Sequence, residues 1–471
     1  MKHKLFISTV LALFSVSAAA QYESAIATEN AVIPYAVAQT LVRNYQDNYT
    51  FSVHNDAGTR IARSNYGKHY GQTPATPLFL ELSKILTDYT INDLTFADDY
   101  AFFCGYYYHV DTTVSPFAIT EEGVIGCFYV PDFYAGNTVS LTYHHYTGIY
   151  RFDKLVAYQD PASQPPYKYK VVALGRERRT QAGLSNDKNI IVEYDDFIGD
   201  VPSSQSPKQI SDLFPVILLP KEIDHDLLLT GKHVIVVGYD FDNNWLCLRK
   251  APRSNVLSSG ALNTLYTYDN SNVEVLMMTH STCLDNDNIV VSYIYQTPSE
   301  TYKTRLRFFD TQTMKNTNAQ EFDVLEKDEV IDLKYLPSAK TLVLLHPGIT
   351  NPGTLLYDQF ISIDPSATSA YNTTALYHVN PDRWYTSLDC FAGDGYVATG
   401  HNQWHYQHLM PSYSQQYSCY DYDAVSVTNI PEISTTVINN TLFSTTLSLH
   451  YIVSGSYSVD LETYTIECEM Q

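Results

Sequence analysis

The sequence predicts an all-β fold, and three observations support this. Its apolar segments are short and rich in β-branched and aromatic residues, and clusters of Asn, Asp, Gly, Ser and Pro separate them. Helical periodicity is nearly absent, with residues 76–86 as the only modest candidate for a helix. One strand-like run also recurs along the chain, which indicates a repeat architecture.

The recurring run consists of about four mostly apolar residues, and in most copies Gly follows them. Its copies occupy residues 101–105, 171–175, 234–238, 289–293, 342–346, 396–400 and 451–455. Successive copies end 70, 63, 55, 53, 54 and 55 residues apart. A period of about 55 residues is close to the ~40–50 of a β-propeller blade and exceeds the repeats of solenoids.

The surroundings of the run recur as well. A turn and another apolar stretch precede each copy, and a third strand follows it at residues 124–130, 189–194, 245–248, 306–309 and 417–422. More polar fourth strands are predicted at residues 264–268 and 375–378. The consecutive apolar positions suit an inner strand that neighbouring sheets cover on both faces. The Gly is expected at a turn that needs a positive φ.

These features predict a seven-bladed β-propeller of four-stranded antiparallel blades. Six or eight blades remain alternatives, because two of the seven runs lack the Gly. An array of β-sandwiches is the rival architecture, but ~55 residues are too few for each sandwich to form its own core.

The two ends of the chain are expected to meet in the last blade. The seventh run lies so close to the C-terminus that it leaves room for a third strand but not a fourth. An open sheet edge would expose unpaired backbone groups. We therefore expect the segment 21–88 to supply a closing strand, from residues 77–82 or 49–54, and residues 89–471 to form the propeller.

Residues 1–20 have the pattern of a cleaved signal peptide. Lys2 and Lys4 give a basic start, residues 5–16 are mostly apolar, and three Ala residues precede Gln21. No later segment is apolar enough over the ~20 residues that a membrane-spanning helix needs. The sequence therefore predicts an exported, soluble protein of the periplasm, the cell surface or the extracellular space.

The composition excludes several classes of function. The formal net charge is −22, which disfavours binding to nucleic acids and to anionic membrane surfaces. The chain has no Gly-rich phosphate loop, no GxSxG or HExxH motif and no recognisable Cys nucleophile signature. No motif supports an enzyme, although Asp or Glu residues in a central channel could serve a carbohydrate-active one.

The signal that ends in Ala-Gln, the β unit of about 55 residues and the Tyr- and Asp-rich turns together resemble exported β-propeller proteins of Bacteroidetes bacteria. Many members of that group have no assigned activity. The chain has no WD dipeptide, no kelch double Gly and no YWTD-type motif, so the resemblance carries no catalytic residue over to this sequence.

Neither a metal nor another cofactor is expected, with calcium as the open alternative. His401, His405 and His408 follow a strand, where their spacing does not bring the three side chains to one side. The acidic turns, such as residues 240–244, lack the Gly and the closing Glu of an EF-hand, and Asp commonly forms tight turns. No CxxC pair exists among the seven Cys residues.

The sequence suggests one possible disulfide and one group of residues that could bind a ligand. Cys104 and Cys127 flank one predicted hairpin and could form a disulfide if its register makes them neighbours. Tyr is abundant, with 40 residues, and it clusters where strands end. Tyr and His in such positions offer contact area with a polar handle. The residues expected to bind a ligand are Tyr106, Tyr107, Tyr108, His109, His401, Trp404, His405, Tyr406 and His408.

These two groups of residues follow second strands, so the fold should place them on the same face. The sequence thus predicts an exported recognition or scaffold module without enzymatic activity, which binds a glycan or a protein through Tyr/His-rich loops. A carbohydrate-active enzyme and a purely structural envelope component are the alternatives. The identity of the ligand and the oligomeric state stay open.

Overall fold

The computed structural model describes residues 36–464 apart from connecting segments, the longest of which are 66–78, 178–187, 199–212, 347–358 and 411–419. Strands dominate this part of the chain and pair antiparallel, which confirms the all-β prediction. Helical structure within it is limited to α1 (Val130–Ala135) and one 3-10 turn (Ala261–Asn263). None of the described helices is both long and apolar enough to cross a membrane.

The described strands before residue 420 fall into seven successive groups of consecutive antiparallel strands. The first three groups are β1 (Ala36–Asn44), β2 (Asp47–Asn55), β3 (Thr59–Asn65) and β4 (Phe79–Leu86); β5 (Tyr89–Ala97), β6 (Tyr100–Asp111), β7 (Ala118–Tyr129) and β8 (Thr138–Tyr146); and β9 (Ile149–Gln159), β10 (Tyr169–Glu177), β11 (Lys188–Tyr194) and β12 (Leu213–Leu219).

The remaining groups have the same order. They are β13 (Ile223–Leu229), β14 (His233–Asp240), β15 (Trp245–Pro252) and β16 (Thr264–Asp269); β17 (Glu274–Cys283), β18 (Asn288–Gln296), β19 (Tyr302–Asp310) and β20 (Lys315–Val324); β21 (Asp332–Leu336), β22 (Thr341–His346), β23 (Gln359–Ile363) and β24 (Asn372–His378); and β25 (Trp384–Phe391), β26 (Gly395–His401) and β27 (His405–Met410).

The last five strands form a C-terminal belt, residues 420–464, that runs back along the earlier groups. Its strands are β28 (Tyr420–Ser426), β29 (Thr428–Asn429), β30 (Thr435–Asn439), β31 (Phe443–Ser458) and β32 (Asp460–Tyr464). They pair in turn with β24, β20, β16, β12 together with β8, and β4. The belt thus adds a strand to the outer edge of six groups, in reverse chain order, and β31 joins the second and third groups into one nine-stranded sheet.

At the opposite edge of the groups, the first strands contact one another. The contacts link β1 with β5, β5 with β9, β9 with β13, β13 with β17, β17 with β21 and β21 with β25, and β25 in turn contacts β1. Apolar side chains fill the space between successive groups from the second to the sixth. In β18, for example, Val290 packs toward the sixth group while Ile289 and Val291 pack toward the fourth.

Six of the seven predicted runs lie in second strands, namely β6, β10, β14, β18, β22 and β26. The interior of β14 and of β18 is buried at every position, as expected for strands covered on both faces. The assignment of the seventh run, residues 451–455, to a second strand is wrong, because these residues belong to β31 at the outer edge of two groups. The predicted third strand at 417–422 is wrong as well, since β28 pairs with β24 of the preceding group.

The expected role of the N-terminal segment is also corrected. Residues 36–86 form a complete four-stranded group instead of lending one strand to the last, and β32 from the C-terminus joins the edge of that group. Residues 49–54 lie in β2, between β1 and β3. The helix candidate at 76–86 is wrong, because β4 pairs there with β3 and β32.

Gly ends these runs for a reason other than the predicted positive φ. No positive φ occurs at Gly105 or Gly175, and both strands continue past them. Opposite each Gly the first strand has a β-bulge. A Cβ at Gly105 would lie 1.9 Å from the Thr90 carbonyl oxygen, and one at Gly175 would lie 2.7 Å from that of Arg151. The Gly therefore makes room for the bulged backbone.

Candidate functional site

Ionisable side chains gather on the first strands, where the groups contact one another. This first-strand cluster consists of Asp93 on β5, Lys154 on β9, Asp226 on β13, His280 on β17, and Asp332 and Lys334 on β21. Asp93 and Asp226 directly follow the irregularity in their strands, and Leu follows all three aspartates. A bulge re-aims the side chains next to it, so the repeated bulge and the repeated Asp-Leu pair belong to one motif.

Each aspartate of the cluster holds two successive groups together. One carboxylate oxygen accepts a hydrogen bond from a backbone N–H on the first strand of the next group. The donor–acceptor pairs are Leu155 to Asp93 at 2.9 Å, Ser281 to Asp226 at 2.9 Å and Leu388 to Asp332 at 2.8 Å. Hydroxyl donors add to two of these contacts, Ser281 at 2.7 Å and Ser387 at 3.3 Å.

Lys154 is the electrostatic centre of the cluster. Burial lowers the pKa of its ammonium group, but Asp226, Asp93 and Asp332 outweigh burial, so the pKa lies above its usual value. Lys334 adds a second positive charge, with its Nζ 3.9 Å from Oδ1 of Asp332. Three carboxylates therefore lie near two ammonium groups, and the positive charges of the lysines compensate most of the negative charge of the aspartates.

The pKa values of two aspartates shift in opposite directions. Burial raises the pKa of Asp93 and prevails over the nearby Lys154. Burial also acts on Asp226, but Lys154, His280 and hydrogen bonds from Ser281 and Leu227 together hold the pKa of Asp226 below its usual value. Such a divergence can mark an acid and base pair. Here, however, both carboxylates already accept backbone N–H bonds that join neighbouring groups.

The second place of interest is a hairpin that extends beyond its sheet. The pairing of β5 with β6 begins at Tyr107, and the pairing of β8 with β7 begins at Gly123. Beyond these points β6 and β7 pair only with each other, from Tyr108 opposite Glu121 to Asp111 opposite Ala118. Four residue pairs give a two-stranded extension of roughly 13 Å.

Aromatic and ionisable side chains meet at the base of this extension. The Tyr/His cluster consists of Tyr89, Tyr107, Glu122, Tyr143 and His145. The Tyr89 ring stacks on Tyr143 with centroids 4.8 Å apart and contacts Tyr107 at 4.9 Å. His145 lies 3.3 Å from the Tyr89 hydroxyl through Nε2 and 3.6 Å from Glu122 through Nδ1. Tyr89, Tyr107 and Glu122 are only half-buried.

The predicted binding residues lie at corresponding ends of second strands in two groups. Tyr106 and Tyr107 are half-buried in β6, and the backbone of Tyr108 and His109 continues into the extension. His401 ends β26 opposite His405, which begins β27. Tyr406 and His408 also belong to β27, and Trp404 lies outside the described residues.

The structure brings Tyr107 together with residues that the sequence did not assign to it. Tyr89 and Glu122 join it only because they are neighbours across the strands, Tyr89 in β5 and Glu122 in β7. The Tyr- and His-rich stretch 143–146 was visible in the sequence, but local patterns do not show which strand lies beside it. Whether the β6–β7 and β26–β27 hairpins share a face stays a prediction.

The acidic turns and the Cys residues have structural explanations. Asp240 accepts a hydrogen bond from the backbone N–H of Asn243 at 3.1 Å, and Asp285 accepts one from Asn288 at 2.7 Å. Within the described part of the chain, no three His, Cys, Asp or Glu residues are placed to hold a metal ion. Cys104 and Cys127 are not bridged, because the register offsets them by two residues.

Comparison with known proteins gives no relative from which a role could be transferred: no family model, curated protein or solved structure matches this chain.

Proposed function

We propose that this protein is a seven-bladed β-propeller in which each group of strands is one blade. The contacts between successive first strands, and between β25 and β1, support a ring with the first strands at its centre. The group formed by residues 36–86 supplies the blade that the sequence analysis assigned to the C-terminus. The C-terminal belt then acts as an outer closure that covers sheet edges.

The mature protein is exported and serves as a recognition or scaffold module without enzymatic activity. The first-strand cluster argues against a channel enzyme, because its carboxylates accept backbone hydrogen bonds and lie near Lys154. A general acid or nucleophile must instead reach its substrate. The observation that carries the binding function is the extended β6–β7 hairpin with the half-buried Tyr/His cluster at its base.

The ligand class that suits this cluster is a neutral glycan or a peptide that is not acidic. Tyr rings provide contact area at low entropic cost, and the Glu122 carboxylate, which is 23% exposed beside the buried His145, provides a polar partner. The net charge of −22 repels acidic ligands. Binding at the extension leaves the centre of the ring to its structural role.

The experiment is a glycan array, followed by titration of each hit with the mature chain and its Tyr107→Ala variant. Aromatic anchors commonly contribute about 2 kcal/mol to binding, so we expect the variant to bind at least roughly tenfold more weakly. Tyr302→Ala serves as the control, because Tyr302 is equally half-buried but lies in the fifth group. We expect its affinity to be unchanged.

Three outcomes would contradict the proposal. Turnover of a bound glycan would make the protein an enzyme, and equal losses of affinity for Tyr107→Ala and Tyr302→Ala would place the binding site elsewhere. A chain that binds neither glycans nor proteins from its own cell envelope would be a structural component.

A further inference from the structure

His144 is a buried polar side chain whose ring nitrogens have no hydrogen-bond partner among the described residues. It lies in β8 and has no solvent-accessible surface. Its ring centroid lies 4.0 Å from that of Phe197 and 5.0 Å from that of Tyr194. Tyr194 is the last residue of β11, and Phe197 follows that strand. The imidazole therefore occupies an aromatic pocket between the second and third groups.

This pocket lies beside the strand that joins the two groups. β8 runs between β7 and β31, where His144 pairs with Ile125 on one side and Ile452 on the other. The first part of β31 pairs with β12 of the third group. The pairing of β8 with β31 thus fixes one section of the C-terminal belt, and His144 lies within this pairing.

We propose that His144 makes this joint sensitive to acid: protonation of its ring opens the pairing between β8 and β31 and releases this section of the belt. A neutral imidazole tolerates an apolar pocket, although its nitrogens remain unsatisfied. An imidazolium would carry a full charge and two N–H donors with no acceptor beside them, and the cation–π attraction of the surrounding rings offsets this cost only in part.

The direction of the pH dependence follows from the protonation equilibrium. Burial, with a smaller contribution from the neighbouring His145, lowers the pKa of His144 to about 3. Once the joint opens, the pKa returns to about 6.5. The closed joint is therefore fully stable above pH 6.5 and loses stability roughly tenfold per pH unit as the pH falls from there toward 3.

Apart from two other histidines, the groups around His144 do not supply a competing transition in mildly acidic solution. Burial raises the pKa of Cys127 to about 12, and it also raises that of Tyr146. Near Phe197, Asp196 forms an ion pair with Lys168 at 3.4 Å. The remaining ionisable neighbours are Tyr194 on β11 and, by their place in the paired strands, His145 on β8 and His450 at the bulge of β31. The Nδ1 atom of His145 lies 3.6 Å from the Glu122 carboxylate.

Hydrogen exchange of the mature chain tests the proposal at pH 7.5 and pH 5.0, after correction for the intrinsic exchange rates. The change in His144 protonation alone should make opening about 30-fold more frequent at the lower pH. We expect peptides from β8 and β31 to lose protection by this factor. Peptides from β19 and β20 serve as the internal reference, because they are remote from the joint.

Variants separate His144 from the other ionisable groups. His144→Phe and the polar His144→Gln should each remove the excess pH dependence in β8 and β31, so a folding defect in one leaves the other as a test. Tyr146→Phe is the matched control in the same strand and should keep the full 30-fold change. The proposal is overturned if β8 and β31 stay protected at pH 5.0, or if both His144 variants retain the wild-type pH dependence.

Discussion

A chain that ends after residue 419 is expected to lose cooperative folding. Its truncation removes the C-terminal belt and uncovers the outer edges of six groups, which leaves rows of unpaired backbone groups. It also removes β31, which holds the second and third groups in one sheet, and the Pro431 carbonyl that accepts a hydrogen bond from the buried Arg307 at 3.3 Å. No single group is thick enough to retain a core without its neighbours.

The measurement is thermal unfolding followed by near-ultraviolet circular dichroism, with sedimentation to detect aggregation. We expect the truncated chain to have no cooperative transition and to aggregate through its exposed edges. A chain that ends after Tyr464 is the control, since it keeps the whole belt. A cooperative transition of the shorter chain within a few degrees of the full one would show that the belt is dispensable.

The second large effect is expected for Asp226→Ala. Asp226 is 7% exposed, and its carboxylate accepts hydrogen bonds from two backbone N–H groups and from the Ser281 hydroxyl. Removal leaves these donors without their acceptor and Lys154 without one of its counterions. Each buried donor left without its acceptor commonly costs about 1–3 kcal/mol, so with three such donors we expect the free energy of unfolding to fall by about 3–5 kcal/mol.

Urea denaturation measures this loss, and pH identifies its origin. Because the folded pKa of Asp226 lies below its value of 3.8 in the unfolded chain, its stabilisation is fully present above pH 3.8 and disappears as the pH falls through the folded pKa. The variant and the natural protein should therefore converge in acid. Asp285→Ala in an exposed turn is the control, with an expected loss of about 1 kcal/mol or less. Equal losses for the two variants would contradict a structural role of the first-strand cluster.

Much of the fold could be predicted because most of its second strands contain a run of consecutive apolar residues. Six of them were found in this way, and so were four of the third strands, namely β7, β11, β15 and β19. The first group escaped detection because β2, with the sequence DNYTFSVHN, alternates polar and apolar residues and lacks the run. The pattern in β31 was misread because an outer strand shared by two groups is also apolar over several positions.

The belt could not be predicted, since its pairings link residues that are far apart in the chain, such as Tyr464 with Phe79. Local patterns specify strands but not their distant partners. The same holds for the Tyr/His cluster, where the Tyr-rich stretch was visible and its contacts with Tyr89 and Glu122 were not. The first-strand cluster did leave a signal, because Asp followed by Leu recurs in β5, β13 and β21, each time with the Asp opposite the fourth residue of the apolar run.

The closure of the chain can be measured with one engineered disulfide between its ends. Leu82 of β4 lies opposite Leu461 of β32, whereas Thr463 lies opposite Leu80. In the oxidised mature chain, Leu82→Cys with Leu461→Cys should form an intramolecular disulfide that mass spectrometry detects after digestion, and Leu82→Cys with Thr463→Cys should form little. Free thiols or bridges only between molecules in the first pair would contradict a fold in which the C-terminal strand completes the N-terminal sheet.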